Sequence, residues 1–403
     1  MKKDFKTYFI LYLISLFFFS LVFLIQKHNV GNDSTISEWI INYSGGFTKR
    51  GLVGQLCISI ANFFNFSLRD SILIFQILLI ALYFILLFYF LKDIKVNKVI
   101  ILSIYTPIFI LYPVAEIEVL ARKEVFIFCI FLCYFFFKSS LSRNLYKIFI
   151  LSLGVLIWEP IIFYFIFFFA VDIIKDKLKK INLKLILNLA CYTPALVFAF
   201  YVALNPITEG NHEIMVNHLK DNFGETCYMS CDLLKSKSTI YAQFEANFVK
   251  YSFEIFLRYF LIILIGFGPL IILLKNSSFK VPSLFFFKLF KNLLLPNSLI
   301  LSPVIILFAM GYDWGRWVNI SYVFSIIFFF YLYINKIIFL NENFLKNKYL
   351  KFLNNKNFFV IVIIVFCFGW NPKTVITGDV ASKPGFQIPK KAIKIIYANL
   401  SNK

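Results

Sequence analysis

The ten residues MGYDWGRWVN, 310 to 319, place a carboxylate (Asp313), a guanidinium (Arg316) and two indoles (Trp314, Trp317) between two strongly apolar stretches. A charged pair at the end of a membrane helix has two uses. It can anchor the helix at the headgroups with the tryptophans as an interfacial belt, or it can hold an anion. In the second case the guanidinium forks onto phosphate or carboxylate oxygens, Asp313 orients that fork or caps the helix, and the indoles stack on a ligand. Three other segments carry similar chemistry. In NDSTISEWIINYSGGFTKRGLVGQL, Asp33 and Glu38 precede Gly45 and Gly46, and Thr48, Lys49 and Arg50 then lead into a second apolar segment, 52 to 66. Backbone N–H groups, a helix start and two cations there can converge on one phosphate, or the turn can touch lipid headgroups. In AEIEVLARKEVF, Glu116, Glu118, Arg122, Lys123 and Glu124 put five charges into nine positions of a turn between apolar spans. Such charges must pair or bind something, and in a helix Glu118 and Arg122 share a face and can form an ion pair. Glu159 stands alone in the sequence WEP, as a ligand or as a cap on a solvated turn.

The elements that position these residues follow from the solvent. With 60% hydrophobic residues and 54 Phe in 403 positions, the chain is too apolar for a soluble domain and belongs in lipid. The sequence predicts an all-α polytopic bundle of about eleven spans: 8 to 25, 71 to 91, 99 to 113, 125 to 137, 147 to 157, 161 to 172, 184 to 204, 252 to 274, 299 to 310, 320 to 334 and 358 to 370. Several are too short to cross alone, since 12 residues rise only about 18 Å, which suggests a recessed site among helices and dipping loops. The helical domain is expected over 1 to 370, with a basic outer tail at 371 to 403.

The formal charge of +20 would suggest nucleic acid in a soluble protein, but here it reports topology, so a nucleic-acid partner is set aside. With the N-terminus cytoplasmic, the predicted inner segments hold 23 of the 41 basic residues, whereas the outer loops hold 14 of the 21 acids. The rule requires 147 to 172 to be a hairpin turning at Trp158, Glu159 and Pro160. The first span lacks a small-residue cleavage site and reads as an uncleaved anchor, which places the protein in a membrane such as the bacterial inner membrane. Arginine is rare and placed unevenly. Of six, only Arg143 falls inside, and Arg50, Arg69, Arg122, Arg258 and Arg316 fall outside or within a span. Lysine serves topology equally well, so outer arginine points to planar recognition of an anion, with chance in a small sample as the alternative.

Two outer loops stand out by length, 26 to 70 and 205 to 251. The first is expected to contain a short helix, capped by Ser34 or Ser37, lying flat on the membrane through Trp39, Ile40, Ile41 and Tyr43. The second carries Cys227 and Cys231 as CYMSC, with His212 and His218. A disulfide fits an oxidising outer compartment; a zinc site is the lesser alternative because the spacing matches no standard pattern.

This layout resembles the C-type glycosyltransferases, integral membrane enzymes that take sugars from polyprenyl-phosphate donors. LSLGVLIWEPIIFYFIFFF is similar to the family's Gly-containing hairpin, with WEP where a tip lysine is usual, and GRW resembles its late arginine-aromatic element. The resemblance covers roughly the first 330 residues as architecture. It implies inverting transfer to a glycan or lipid-linked acceptor, with a proton-accepting carboxylate in the first outer loop (Asp33, then Glu38), and Glu116 and Glu124 in the second acidic turn. It also implies Arg316 on the lipid phosphate, and a divalent cation as a further means of neutralising it. Surface-polysaccharide polymerases and ligases look alike in this respect, although loop 205 to 251 has no arginine to hold a lipid pyrophosphate. A flippase or transporter of lipid-linked glycans is the non-enzymatic alternative. Against it, almost no charge lies in mid-span and no internal repeat is seen.

Overall fold

The computed structural model describes residues 2–30, 34–178, 181–236, 240–280, 290–343, 351–376 and 383–401. Among the described residues the regular structure is helical apart from one antiparallel pair of three-residue strands, Ser277–Phe279 with Ile338–Leu340, in which Ser278 faces Phe339. Five helices are long and apolar enough to cross a membrane: Asp4–Asn29, Leu68–Leu91, Ser140–Ile157, Leu183–Leu204 and Trp314–Ile334. A sixth crossing would join Phe253–Gly266 to Gly268–Lys275 across a bend of 58°. Gly51–Phe64, Glu124–Tyr134, Leu294–Met310 and Lys356–Cys367 are shorter apolar helices.

Trp314–Ile334 is the central helix, with 89% of its apolar window enclosed, against 33% for Asp4–Asn29. Both are apolar all round, so periodicity does not say which one is wrapped by protein and which by lipid. Phe324 shows the packing that decides it, stacking on Phe131 at 4.6 Å and on Tyr164 at 4.4 Å. The predicted span 99 to 113 is not one helix. Lys98–Tyr105 stops before Pro107, and helix resumes at Tyr112–Ala115. Non-helical backbone survives inside a membrane protein only where its polar groups are satisfied. Here Tyr322 donates to the Ser103 carbonyl at 2.7 Å, Asn319 to Ile108 and Phe109 at 2.9 and 3.1 Å, and Thr106 to Gly266 at 3.1 Å.

The chain does turn at Trp158, Glu159 and Pro160. Ser140–Ile157 ends there and Phe165–Lys175 returns, bringing Asp172 within 2.7 Å of the Arg143 Nε and 2.8 Å of the Lys147 Nζ. Tyr134 donates to the same carboxylate at 2.6 Å, and Arg143 reaches Asp176 at 2.6 Å. This satisfied cluster lies about 24 Å along the helix from Glu159, by 1.5 Å per residue.

The first outer loop departs from expectation. Between residues 34 and 50 only Ser34–Ser37 is helical, and Trp39, Ile40 and Ile41 are fully enclosed instead of lying on the membrane surface. Trp39 donates to the Ala121 carbonyl at 3.1 Å and packs its ring against Phe75 and Phe126. Gly54 allows this close approach, because a Cβ there would sit 1.9 Å from the Ile41 carbonyl oxygen. The larger loop is also structured. Glu209–Phe223 is a helix, capped by Thr208 and closed by Gly224 at φ 64°, and its Asn211 backbone presses on Gly45. Below it Cys227 and Cys231 form a disulfide, and the Ser230 N–H donates to Ser37 Oγ at 3.3 Å. His212 Nε2 lies 3.1 Å from the Cys231 carbonyl, and with the two sulfurs bonded to each other the zinc alternative has no thiolates. Alkylation of the native chain is therefore expected to leave Cys227 and Cys231 unmodified until a reductant is added; labelling of both without reductant would rule the disulfide out.

The segment expected as a tail begins inside the bundle. Residues 371 to 376 form a buried strap across the start of the central helix: Gly315 N–H donates to the Thr374 carbonyl at 3.0 Å and Ile376 N–H to Tyr312 at 2.9 Å. Gly315 is required at this crossing, since a Cβ would fall 2.0 Å from the Lys373 carbonyl oxygen. Beyond the strap, Pro384–Ser401 packs against the first helix.

Candidate functional site

Four segments that are remote in sequence meet at one end of the bundle. Glu38 and Arg50 come from the loop 26 to 70, Arg122, Lys123 and Glu124 from the second charged turn, Glu159 from the hairpin tip, and Asp313 and Arg316 from the start of the central helix. Glu38 is fully buried at the centre. One of its oxygens accepts from Arg122 and, at 3.3 Å, from Arg50, with Arg316 at 3.8 Å. Arg50 also forks onto Glu159, at 2.9 Å from Nε and 2.8 Å from Nη2. Arg316 joins Glu124, through Nε at 2.7 Å and through Nη2, to Asp313 at 2.5 Å. Lys123, with no exposed surface, donates to the Arg50 carbonyl at 2.5 Å.

Local backbone geometry supports the meeting. Arg50 has φ 62° and Ala121, beside Arg122, has φ 53°, both in the left-handed region that side chains with a Cβ avoid. Such conformations cost energy and persist where surrounding contacts over-determine them. The Lys123 bond holds the first, and the Trp39 bond to the Ala121 carbonyl holds the second.

Electrostatics follow from burial and partners. Burial is the largest influence on Glu38 and would raise its pKa, but Arg122, Arg316 and Arg50 together outweigh it and hold the carboxyl well below the usual range. Glu159 is similarly opposed by burial and lowered by Arg50 and Lys49. For Lys123 burial wins over the attraction of Glu38, and its ammonium is pushed down to about 8.

The cluster contains unused polar atoms. Glu38 Oε2, Glu124 Oε2, Arg122 Nε and the indole nitrogens of Trp158 and Trp317 are buried without a protein partner, although buried polar atoms are normally bonded. Trp158 and Trp317 lie 6.1 Å apart, and the Arg316 guanidinium stands 5.2 Å from the Trp317 ring. Around Asp172, by contrast, both carboxylate oxygens are engaged.

Several sequence expectations are redistributed. Asp33 lies outside the described residues. Glu118 is exposed and does not pair with Arg122, which turns to Glu38 because Ile117–Val119 is a single 3-10 turn and not part of a longer helix. Glu116 is separate from the cluster and ties down the strap, receiving Lys373 at 3.0 Å, Asn371 at 3.3 Å and Thr374 at 3.4 Å. Trp314 is neither a belt residue nor open for stacking. Its ring is caged by Tyr251, Phe256, Tyr259 and Phe308, and its indole N–H donates to the Phe308 carbonyl at 2.7 Å. Trp158 and Trp317 are likewise interior, the first without exposed surface. The strap residues Asn371, Lys373 and Thr374 carried no signal in the sequence. Asp172 did carry one, as an acid inside an apolar span. The chain matches no protein family, no curated protein and no solved structure.

Proposed function

We propose that this protein transfers a sugar from a polyprenyl-phosphate donor to a glycan or lipid-linked acceptor at the non-cytoplasmic face of the membrane, with inversion at the anomeric carbon. The observation that carries this reading is the convergence of Glu38, Arg50, Arg122, Lys123, Glu124, Glu159 and Arg316 in one buried cluster with carboxylate and guanidinium atoms still unpaired. These segments are the ones whose order resembles the C-type glycosyltransferases. In this reading the bent pair, the shorter helices Glu124–Tyr134, Leu294–Met310 and Lys356–Cys367 and the segments 99 to 113 and 161 to 172 complete an eleven-span bundle whose N-terminus is cytoplasmic.

The chemistry assigns a task to each group. As the acceptor hydroxyl attacks the anomeric carbon, the bond from that carbon to the phosphate oxygen breaks, and negative charge grows on the departing phosphate. Preorganised guanidiniums in a site shielded from water stabilise that charge best, and Arg316, Arg122 and Arg50 are the groups in place, with Lys123 behind them. The hydroxyl proton goes to a carboxylate of the first outer loop, Asp33 or Glu38. Trp317 and Trp158 supply indole donors for sugar hydroxyls. Among the described residues, the one group of three ligands close enough to share an ion is His212, Cys227 and Cys231, whose two sulfurs are bonded to each other. In this reading charge neutralisation is assigned to arginine.

The test is transfer in proteoliposomes from a panel of polyprenyl-phosphate sugars, paired with analysis of lipid-linked and surface glycans in cells with and without the gene. The expected result is a glycan lacking one sugar when the gene is removed, and transfer of that sugar by the purified chain. Unchanged glycans together with no transfer from any donor would overturn the reading.

A further inference from the structure

The geometry points to an anion site, formed by Arg50, Arg122 and Arg316, that Glu38 of the same chain occupies while no ligand is bound; an incoming phosphate takes its place. That the phosphate arrives on a lipid-linked sugar rests on the function proposed above.

Three guanidiniums from three segments, at positions 50, 122 and 316, are gathered around a single oxygen of Glu38, two of them within hydrogen-bonding range and the third at 3.8 Å. Asp172 uses both oxygens, with Arg143, Tyr134 and Lys147, and Glu159 uses both with Arg50, whereas Glu124 uses one, on Arg316 alone. Glu38 differs from all three in drawing three guanidiniums to one oxygen while its Oε2 is buried and unpartnered, as is the Nε of Arg122, its shortest-range partner. The arrangement has more donors than this carboxylate accepts. The phosphodiester of a lipid-linked sugar offers two non-bridging oxygens, and the phosphate monoester left when the sugar departs offers three and more negative charge, which suits three guanidiniums from different directions.

The other members of the cluster can stay in place during such an exchange. Arg50 keeps its fork on Glu159, and Arg316 keeps Glu124 and Asp313. Arg50, Glu159 and Asp313 are also the members with partly exposed side chains, at 20, 24 and 29%, and they mark the side from which a ligand enters. Displacing Glu38 has a chemical consequence. The guanidiniums that keep it ionised are then shared with the phosphate, so the freed carboxylate becomes a better proton acceptor only when a donor is present.

The experiment uses the full chain in detergent micelles, titrated with a short-chain isoprenyl monophosphate and, separately, with inorganic phosphate, and read by tryptophan fluorescence. Glu38→Gln removes the resident negative charge and keeps the shape, so it is expected to bind isoprenyl phosphate at least about tenfold more tightly than the parent, because like charges at this distance repel strongly in a buried site. Adding Arg122→Ala should cancel the gain. Inorganic phosphate should follow the same order more weakly if the headgroup is what is recognised; an effect confined to the isoprenyl ligand would assign the gain to the chain and overturn the inference. Equal or weaker binding by Glu38→Gln, with an unchanged melting temperature, would also overturn it. Should Glu38→Gln fail to fold, Glu38→Asp decides: its shorter side chain retracts from the guanidiniums, a gain of about threefold or more is expected, and no gain sinks the idea. Tighter phosphate binding by the variant with no sugar transfer by the parent would reject the glycosyltransferase reading alone. Transfer by the parent with no gain in the variant would reject the exchange alone.

Discussion

Arg316→Lys should insert and fold but lose roughly tenfold or more of its sugar transfer, the consequence of weakening a charge-assisted hydrogen bond worth about 1.5–3 kcal/mol. Lysine retains the positive charge, which is all that a headgroup anchor requires. It does not retain the planar fork, and the site uses every edge of that fork: Nε and Nη2 on Glu124, Nη1 on Asp313, and Nη2 at 3.8 Å from Glu38. A single ammonium can hold one of these carboxylates or a phosphate, but not both in the same geometry. The interior position of Arg316 strengthens the contrast, because its side chain is 5% exposed and lies among protein groups, not at a lipid boundary. Arg316→Ala should behave differently, destabilising the fold by about 3–5 kcal/mol through the uncompensated carboxylate left on Glu124. Full transfer activity in Arg316→Lys would reduce Asp313 and Arg316 to a structural pair.

The second large effect is expected at Asp172, at the far end of the hairpin whose tip carries Glu159. Asp172→Asn should lower stability by about 3–5 kcal/mol, because it leaves Arg143 and Lys147 buried without their shared carboxylate. Here the predicted loss is in folding and not in chemistry. Asp172 is enclosed, both its oxygens are bonded, and the hairpin's length separates it from the proposed site. Thermal unfolding of the purified variant in detergent should show the drop, while transfer per folded molecule at a permissive temperature should stay within about twofold of the parent. An unchanged melting temperature would mean that the cluster contributes nothing net, as can happen when desolvation cancels attraction. Together the two variants separate a charge cluster with unused atoms from one that is complete.

The candidate site was partly legible before any coordinates. Arg50, Arg122, Glu124, Glu159 and Arg316 stood out because charged residues next to long apolar runs are costly and need a reason. Apart from Asp313 beside Arg316, their partners did not. Glu118 four positions before Arg122 looked like the natural pair, and the chain instead joins Arg122 to Glu38, 84 positions away, and Arg316 to Glu124, 192 positions away. The segment from Trp39 to Tyr43 read as a surface helix because an amphipathic pattern does not distinguish a lipid headgroup layer from a neighbouring turn. Trp314 and Trp317 read alike, three residues apart on one helix, yet one donates to the Phe308 carbonyl while the other is left with an unused indole N–H beside Arg316.

What the sequence determined by itself is whatever depends on local composition and spacing. The apolar fraction dictates lipid as solvent, lipid dictates helices because backbone polar groups must be satisfied internally, Trp158, Glu159 and Pro160 end one helix and begin its return, and CYMSC brings two thiols within bonding reach. The tertiary structure alone decided which apolar helix is enclosed by protein, how residues 371 to 376 cross the central helix at Gly315, and which acid meets which arginine. The reason is physical. Helical periodicity encodes neighbours three and four residues apart, whereas Coulomb attraction in a buried site has no sequence period, so its partners are chosen by how the helices pack.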